Sequence, residues 1–164
     1  MSKTIRCYDY VNHPYEAVRD ALSVDVPAVF RNATKAAAFR AQTVASELRV
    51  NVSGIEIGTD ISISVKEIEN RPKKVTSPPI TRLQLEWEAT KMPRLFPFMK
   101  AELSIYPLTA TETQLDFLGR YEAPFGVLGG AVDVVVGHRI AEASVHRFIM
   151  DVAAYLRTEL SKPD

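Results

Sequence analysis

The chain has 164 residues, enough for one well-buried core and too few for two ordinary domains. Hydrophobic residues at 46% and charged residues at 24% exclude a disordered or fibrous chain. Lys plus Arg and Asp plus Glu each total 20, so no global field exists to gather nucleic acid or an anionic membrane.

In chain order, "KTIRCYDYV" (3–11) alternates Ile5, Cys7 and Asp9 against Tyr8 and Tyr10 and reads as a strand. "NHP" turns it. Pro14 then suits the first turn of a helix, "PYEAVRDAL", with Tyr15, Val18 and Leu22 in one apolar stripe. Ser23 is a candidate N-cap or break before a second, alanine-rich helix from about Pro27 to Glu47, marked by Val29, Phe30, Ala33, Ala37 and Val44.

The period then changes from helical to alternating. "LRVNVSGIEIG" places Leu48, Val50 and Val52 on one face until Gly54, which marks a bulge or bend. "DISISVKEIEN" alternates Ile61, Ile63 and Val65 against polar residues, and "RPKKVTSPP" is an exposed turn whose Lys73 and Lys74 are too narrow a basic patch for phosphate. "RLQLEWEAT" sets Leu83, Leu85, Trp87 and Ala89 against Gln84, Glu86, Glu88 and Thr90. "FMKAELSIYPL" does the same with Met99, Ala101, Leu103 and Ile105, leaving Tyr106 on the wet side, and "TQLDFLGRYE" places Leu115, Phe117 and Tyr121 around Gly119. The connections are too short for crossover helices, so these strands form an antiparallel meander with one dry face.

That face is covered by the segment from about Val127 to Leu160, a helix roughly 50 Å long in which Val132, Val136, Arg139 or Ile140, Ala143, Phe148, Val152, Tyr155 and Leu160 trace a broad apolar stripe. The segment opens with "FGVLGGAVDVVVGHRI". Its glycines lack the strand and Gly-Lys-Ser/Thr context of a phosphate loop, so Gly126, Gly129 and Gly130 are read as permitting close approach of helix to sheet. Asp133, His138 and Arg139 exclude a membrane span there. The N-terminus has no signal-peptide core and Cys7 stands alone, so the expected location is cytoplasmic, with no integral membrane segment.

The order strand, helix pair, meander and long final helix resembles the helix-grip (SRPBCC) superfamily, which includes START lipid-transfer domains, plant pathogenesis-related allergens and the polyketide cyclase/dehydrase group. The local matches are "YDYVNHPYEAVRDAL" with its P-x-E-x-V start, the strand "LQLEWEA", and the tail "GRYEAPFGVLGGAVD" through "HRIAEASVHRFIMDVAAYL". The resemblance spans essentially the whole chain and rests on the order of these motifs. It implies an α+β domain over residues 1–164, with a curved antiparallel sheet of six or seven strands wrapped round the C-terminal helix in the order β-α-α-β(meander)-α. Five strands follow the helix pair where the family has six, unless Gly54 divides the first of them.

The resemblance further implies a cavity for an apolar small molecule, lipid-, sterol- or polyketide-like. On the alternation above its wall would be Leu85, Trp87, Met99, Leu103, Leu115, Phe117 and Tyr121 from the sheet and Val132, Val136 and Ile140 from the helix, with Phe30 and Phe39 as lids. Each of these is also what an ordinary core requires, Trp87 above all. Tyr8, Tyr10, Tyr106, Tyr121 and Arg139 are candidates to orient a ligand oxygen, with Tyr121 first because it shares the dry face with Phe117. Tyr121, His138 and Arg139 are the catalytic candidates for a cyclase- or dehydratase-type enzyme. His138 and His146 lie about 80° apart round a helix with no cysteine near, so no metal site is expected, and no cofactor.

No Ser-His-Asp set or paired carboxylates fall on the dry faces, which favours binding over chemistry. The expected partner is an apolar ligand and not nucleic acid. A third reading is an interaction module with a filled cavity, in which "TKMPRLFPFM", with Leu95, Phe96, Phe98 and Met99, makes transient contact with a membrane surface or another protein. Oligomeric state leaves no signal in the sequence.

Overall fold

A computed structural model describes residues 2–47, 61–89, 98–122 and 131–163, without the side chains of 42, 44–47, 89 and 131–136. The first strand, β1 (Ser2–Val11), buries Ile5, Cys7 and Val11 and leaves Tyr8 and Tyr10 about half exposed, so the two tyrosines stand outside the dry face. Helix α1 (Tyr15–Val24) follows Pro14 and buries Tyr15, Val18 and Leu22, a stripe at helical spacing. The Tyr15 hydroxyl meets Thr81 Oγ1 at 2.7 Å, and Thr81 donates in turn to Asn70 Oδ1 at 2.7 Å. That chain satisfies a hydroxyl which would otherwise be costly to bury.

Ser23 does not start the next helix. Its hydroxyl donates back to the Arg19 carbonyl at 2.9 Å inside α1, and Asp25 caps α2 (Val26–Glu47) by accepting from Ala28 N at 3.1 Å. The inner stripe of α2 is Val29, Phe30, Ala33, Ala37 and Ala41, and the expected Val44 lies outside the described side chains.

Strands β2 (Ile61–Arg71), β3 (Ile80–Ala89), β4 (Met99–Thr109) and β5 (Glu112–Glu122) complete an antiparallel sheet in the order β1-β5-β4-β3-β2. Among the described residues it is open, with β1 and β2 at its edges. Five strands are thus found among the described residues, where six or seven are expected; the segment 48–58, read as a further strand bent at Gly54, lies outside them. A register shift occurs instead within β2, between Val65 and Glu67. On β2 only Ile61 is fully covered; Ile63 and Val65 are half-buried because an edge strand has a neighbour on one side only.

Helix α3 (Ala131–Leu160) has 30 residues, about 45 Å at 1.5 Å per residue. Residues 127–130, where the helix is expected to begin, lie outside the described residues, as do Gly126, Gly129 and Gly130. Inward it carries Val145, Phe148, Ile149, Val152 and Leu156, all fully buried. At roughly 1.5–3 kcal/mol for each large apolar side chain, this stripe is the main force holding helix to sheet. The closest helix-to-sheet approaches are α3 on β1 and α2 on β2, while α2 and α3 pack along each other. The helix pair therefore rests on the two edges of the sheet and bridges its centre. Two polar ties fix the α3 end: Arg157 reaches Asp9 Oδ1 at 3.0 Å and the Tyr10 carbonyl, and His13 Nε2 lies 3.1 Å from Ser161 Oγ.

Candidate functional site

Antiparallel register converts the dry-face residues into rows across the sheet. Cys7, Phe117, Leu103, Leu83 and Ile68 make one row, and Ile5, Gly119, Ala101, Leu85 and Val65 the next. The end row, nearest the start of α3 among those that cross β5, β4, β3 and β2, is Tyr121, Met99, Trp87 and Ile63, with only the pair Ile61 and Ala89 described beyond it on this face. Beneath the bridging helices, Trp87, Phe117 and Phe148 pack edge to face with centroids 5.3 to 6.3 Å apart, and Phe30 meets Phe148 at 5.4 Å. These rings fill the middle of the space between helix and sheet. What remains for a site is the end row and what faces it.

Facing it is His138. Its Nδ1 lies 2.5 Å from the Tyr121 hydroxyl, with the rings inclined by 23°, and its Nε2 lies 3.9 Å from Glu142 Oε2 one helical turn on. Tyr121 is buried, and that burial, helped by the negative charge of Glu142, pushes its pKa up to about 12. The phenol therefore holds its proton at neutral pH. With a neutral imidazole carrying its proton on Nε2, Tyr121 donates to Nδ1. With an imidazolium, Nδ1–H donates to the phenol oxygen and the Tyr121 O–H is released towards another acceptor. The arrangement is a buried hydroxyl whose donor direction is set by the protonation of one histidine.

A cleft of about 640 Å³ runs between α2 and the β2 edge, lined by Val26, Phe30, Thr34, Ala38, Ile61 and Ile63 among others. Ile63 belongs both to this cleft and to the end row, where it stands opposite the buried Trp87. Its size is within the range of ligand pockets.

Several expected wall residues come together here. Leu85, Trp87, Met99, Leu103, Leu115, Phe117 and Tyr121 all lie buried on one sheet face, and Phe30 and Ile140 are buried against it. Phe39 does not join them. It is 70% exposed, because nine residues after Phe30 is about two and a half turns and places it on the opposite side of α2. Arg139 is exposed too, turned towards the groove between α2 and α3, whereas His138 beside it turns inward. Tyr8, Tyr10 and Tyr106 lie on the outer sheet face; Tyr8 sits under the Arg6 guanidinium at 5.0 Å. Val132 and Val136 lie outside the described side chains, and so do all of "TKMPRLFPFM" except Phe98, which is exposed, and Met99, which is buried. Among the described residues, no group of three or more His, Cys, Asp or Glu is placed to hold a metal, and no helix is long and apolar enough to cross a membrane.

Sequence reading overlooks Glu142 and Ile63 as site residues. The spacing of His138 and Glu142, one turn apart, is visible in "HRIAE"; the contribution of Ile63 depends on which strand is the edge, which spacing does not reveal.

No protein-family model matches the chain, and no curated protein matches it in sequence. Among solved structures it is similar to the ZhuI aromatase/cyclase from Streptomyces sp. R1128, with 9% identity, a TM-score of 0.57 and coverage of 98% of this chain and 96% of that one. It is also similar to Ara h 8.0201, with 7% identity, a TM-score of 0.50 and coverage of 96% and 99%. At such identities the likeness is one of fold. This chain has the helix-grip fold that its order of elements resembles.

Proposed function

We propose that this protein binds an apolar small molecule that carries an oxygen function, held between the sheet and α3 at the row Tyr121, Met99, Trp87 and Ile63, with Tyr121 hydrogen-bonding the oxygen. The observation that carries this reading is the buried Tyr121 hydroxyl, 2.5 Å from His138 on an otherwise apolar face. Apolar burial supplies the affinity and the phenol supplies orientation. The α2/β2 cleft, with the buried Phe30 in its lining, is the entrance we propose. The expected contacts Leu85, Leu103, Leu115, Phe117, Val132, Val136 and Ile140 belong to the same reading, as core shared with the ligand wall. The chain acts as one domain over residues 1–164, in the cytoplasm; its one cysteine, Cys7, is buried and unpaired, with a thiol that burial pushes up to about 11, as a reducing compartment tolerates.

Native mass spectrometry of the protein purified from its own host tests the reading. A co-purifying apolar ligand is expected, and Tyr121→Phe is expected to weaken its binding about tenfold, the worth of one hydrogen bond. A bare mass under gentle conditions, or equal affinity in the variant, overturns it.

A second reading, a cyclase- or dehydratase-type enzyme on a hydrophobic substrate, is favoured by the line Tyr121, His138, Glu142, a donor backed by a base and a carboxylate. The similarity to an aromatase/cyclase supports it at the level of fold alone. Turnover of a poly-β-carbonyl substrate that vanishes in His138→Gln, while ligand binding persists, would establish it; binding without turnover leaves the carrier.

A further inference from the structure

On the side of the helix pair away from the sheet, α2 and α3 leave a groove of about 720 Å³ that the proposed ligand site does not use. Its shape follows from spacing: Ala36, Phe39, Arg40 and Thr43 project from one helix and Arg139, Ala143, Arg147 and Met150 from the other, each set about one turn apart. The floor is the half-buried Ala36 and Ala143, small enough for a third backbone to come close. Phe39 and Met150, 70% and 51% exposed, offer two large apolar surfaces in the same groove.

The rim is cationic. Arg40, Arg139 and Arg147 line it with His146, beside two acids, Glu142 in the lining and Asp151 through its pair with Arg147. Glu142 faces His138 at 3.9 Å and Arg147 pairs with Asp151 at 3.5 Å, while Arg139 has no ion-pair partner among the described residues. In a chain with formal net charge zero, this local excess is a feature of the groove and not of the surface as a whole.

We propose that the α2/α3 groove is a docking site for an acidic amphipathic helix of a partner protein. Its apolar residues would pack on Phe39 and Met150 and a Glu or Asp of it would pair with Arg139. Arg139 to Met150 spans eleven steps, about 16 Å, so about three turns of a helix are accommodated. A concave, alanine-floored channel suits a helix better than the flat plane of a bilayer, and its length is more than a small anion needs.

The test uses the full chain, isotopically labelled, and two synthetic amphipathic peptides with Leu on one face and either Glu or Lys on the other. The Glu peptide is expected to bind and to shift the amide resonances of Ala36, Phe39, Arg139, Ala143 and Met150, with affinity that falls as salt rises. Arg139→Glu and Phe39→Ser are each expected to weaken it about tenfold or more; both positions are exposed, so unchanged thermal melting will show that the variants fold. Equal binding of the Lys peptide, resonance shifts elsewhere, no binding of the Glu peptide at millimolar concentration, or binding of phosphatidylglycerol vesicles in place of the peptide would overturn the proposal.

Discussion

The sulfur of Met99 occupies the space that a side chain on Gly119 would need: a Cβ on Gly119 would fall 2.4 Å from Met99 Sδ and 3.0 Å from Phe117 Cε1. Met99 leans across this gap from the end row, so the glycine shapes the floor of the proposed site. Gly119→Ala is expected to destabilise the fold by about 1–3 kcal/mol by overpacking. In a Met99→Ala background the same change should cost less, and a double-mutant cycle in urea measures the difference. Equal costs in both backgrounds would show that Met99 is not the obstacle.

Tyr121 gives a dependence on pH with a definite sign. Its pKa is raised from the ordinary 10.0 to about 12, so between these values the folded chain holds a proton that the unfolded chain has released. The corresponding stability is present below pH 10.0 and is lost as pH rises through about 12. Ultraviolet titration of tyrosinate should show a step near the upper value that Tyr121→Phe removes.

The opposed phases of Phe30 and Phe39 on α2 predict opposite sensitivities. Phe30, which is buried and packs on Phe148, should cost about 3–5 kcal/mol when replaced by Ala. Phe39→Ala should stay within about 0.5 kcal/mol. Chemical denaturation of the two variants checks both, and a large loss at Phe39 would place it in the core after all.

Arg157 ties α3 to β1 through Asp9 and the Tyr10 carbonyl, and stacks on the Tyr10 ring at 5.2 Å. Because its side chain is 35% exposed, the worth of these charged contacts is discounted to about 1 kcal/mol, lost in Arg157→Ala. Arg157→Lys should recover part of it, since both acceptors are served by one nitrogen, Nη2, and an ammonium carries protons enough for both but lacks the planar face that lies over Tyr10. Melting temperatures of the two variants decide the point.

What the sequence makes legible depends on how fully each segment commits to one period. The strand 80–89 alternates without a break, and Leu83, Leu85 and Trp87 are buried as its spacing implies, the side chain of Ala89 lying outside the described ones. Helix α1 declares itself through Pro14 and a clean apolar stripe. Helix α2 does not declare the orientation of its aromatic residues, because alanines are tolerated on either side and leave Phe30 and Phe39 with no common phase. The meeting of Tyr121 with His138 is invisible for another reason: it depends on how far α3 is slid along β5, a tertiary offset that no local pattern encodes. Glu142 alone could have been added from spacing.

The helix pair rests on two unlike seams. Along β1 it is held partly by polar ties, the Arg157–Asp9 ion pair and the hydrogen bond of His13 with Ser161; along β2 it rests on the apolar surfaces of Val26, Phe30, Ile61 and Ile63. Cold and urea weaken the second kind of contact, and salt weakens the first. The two borders of the domain thus answer to different solvents, and the border that yields to cold and urea is the one beside the cleft between α2 and β2.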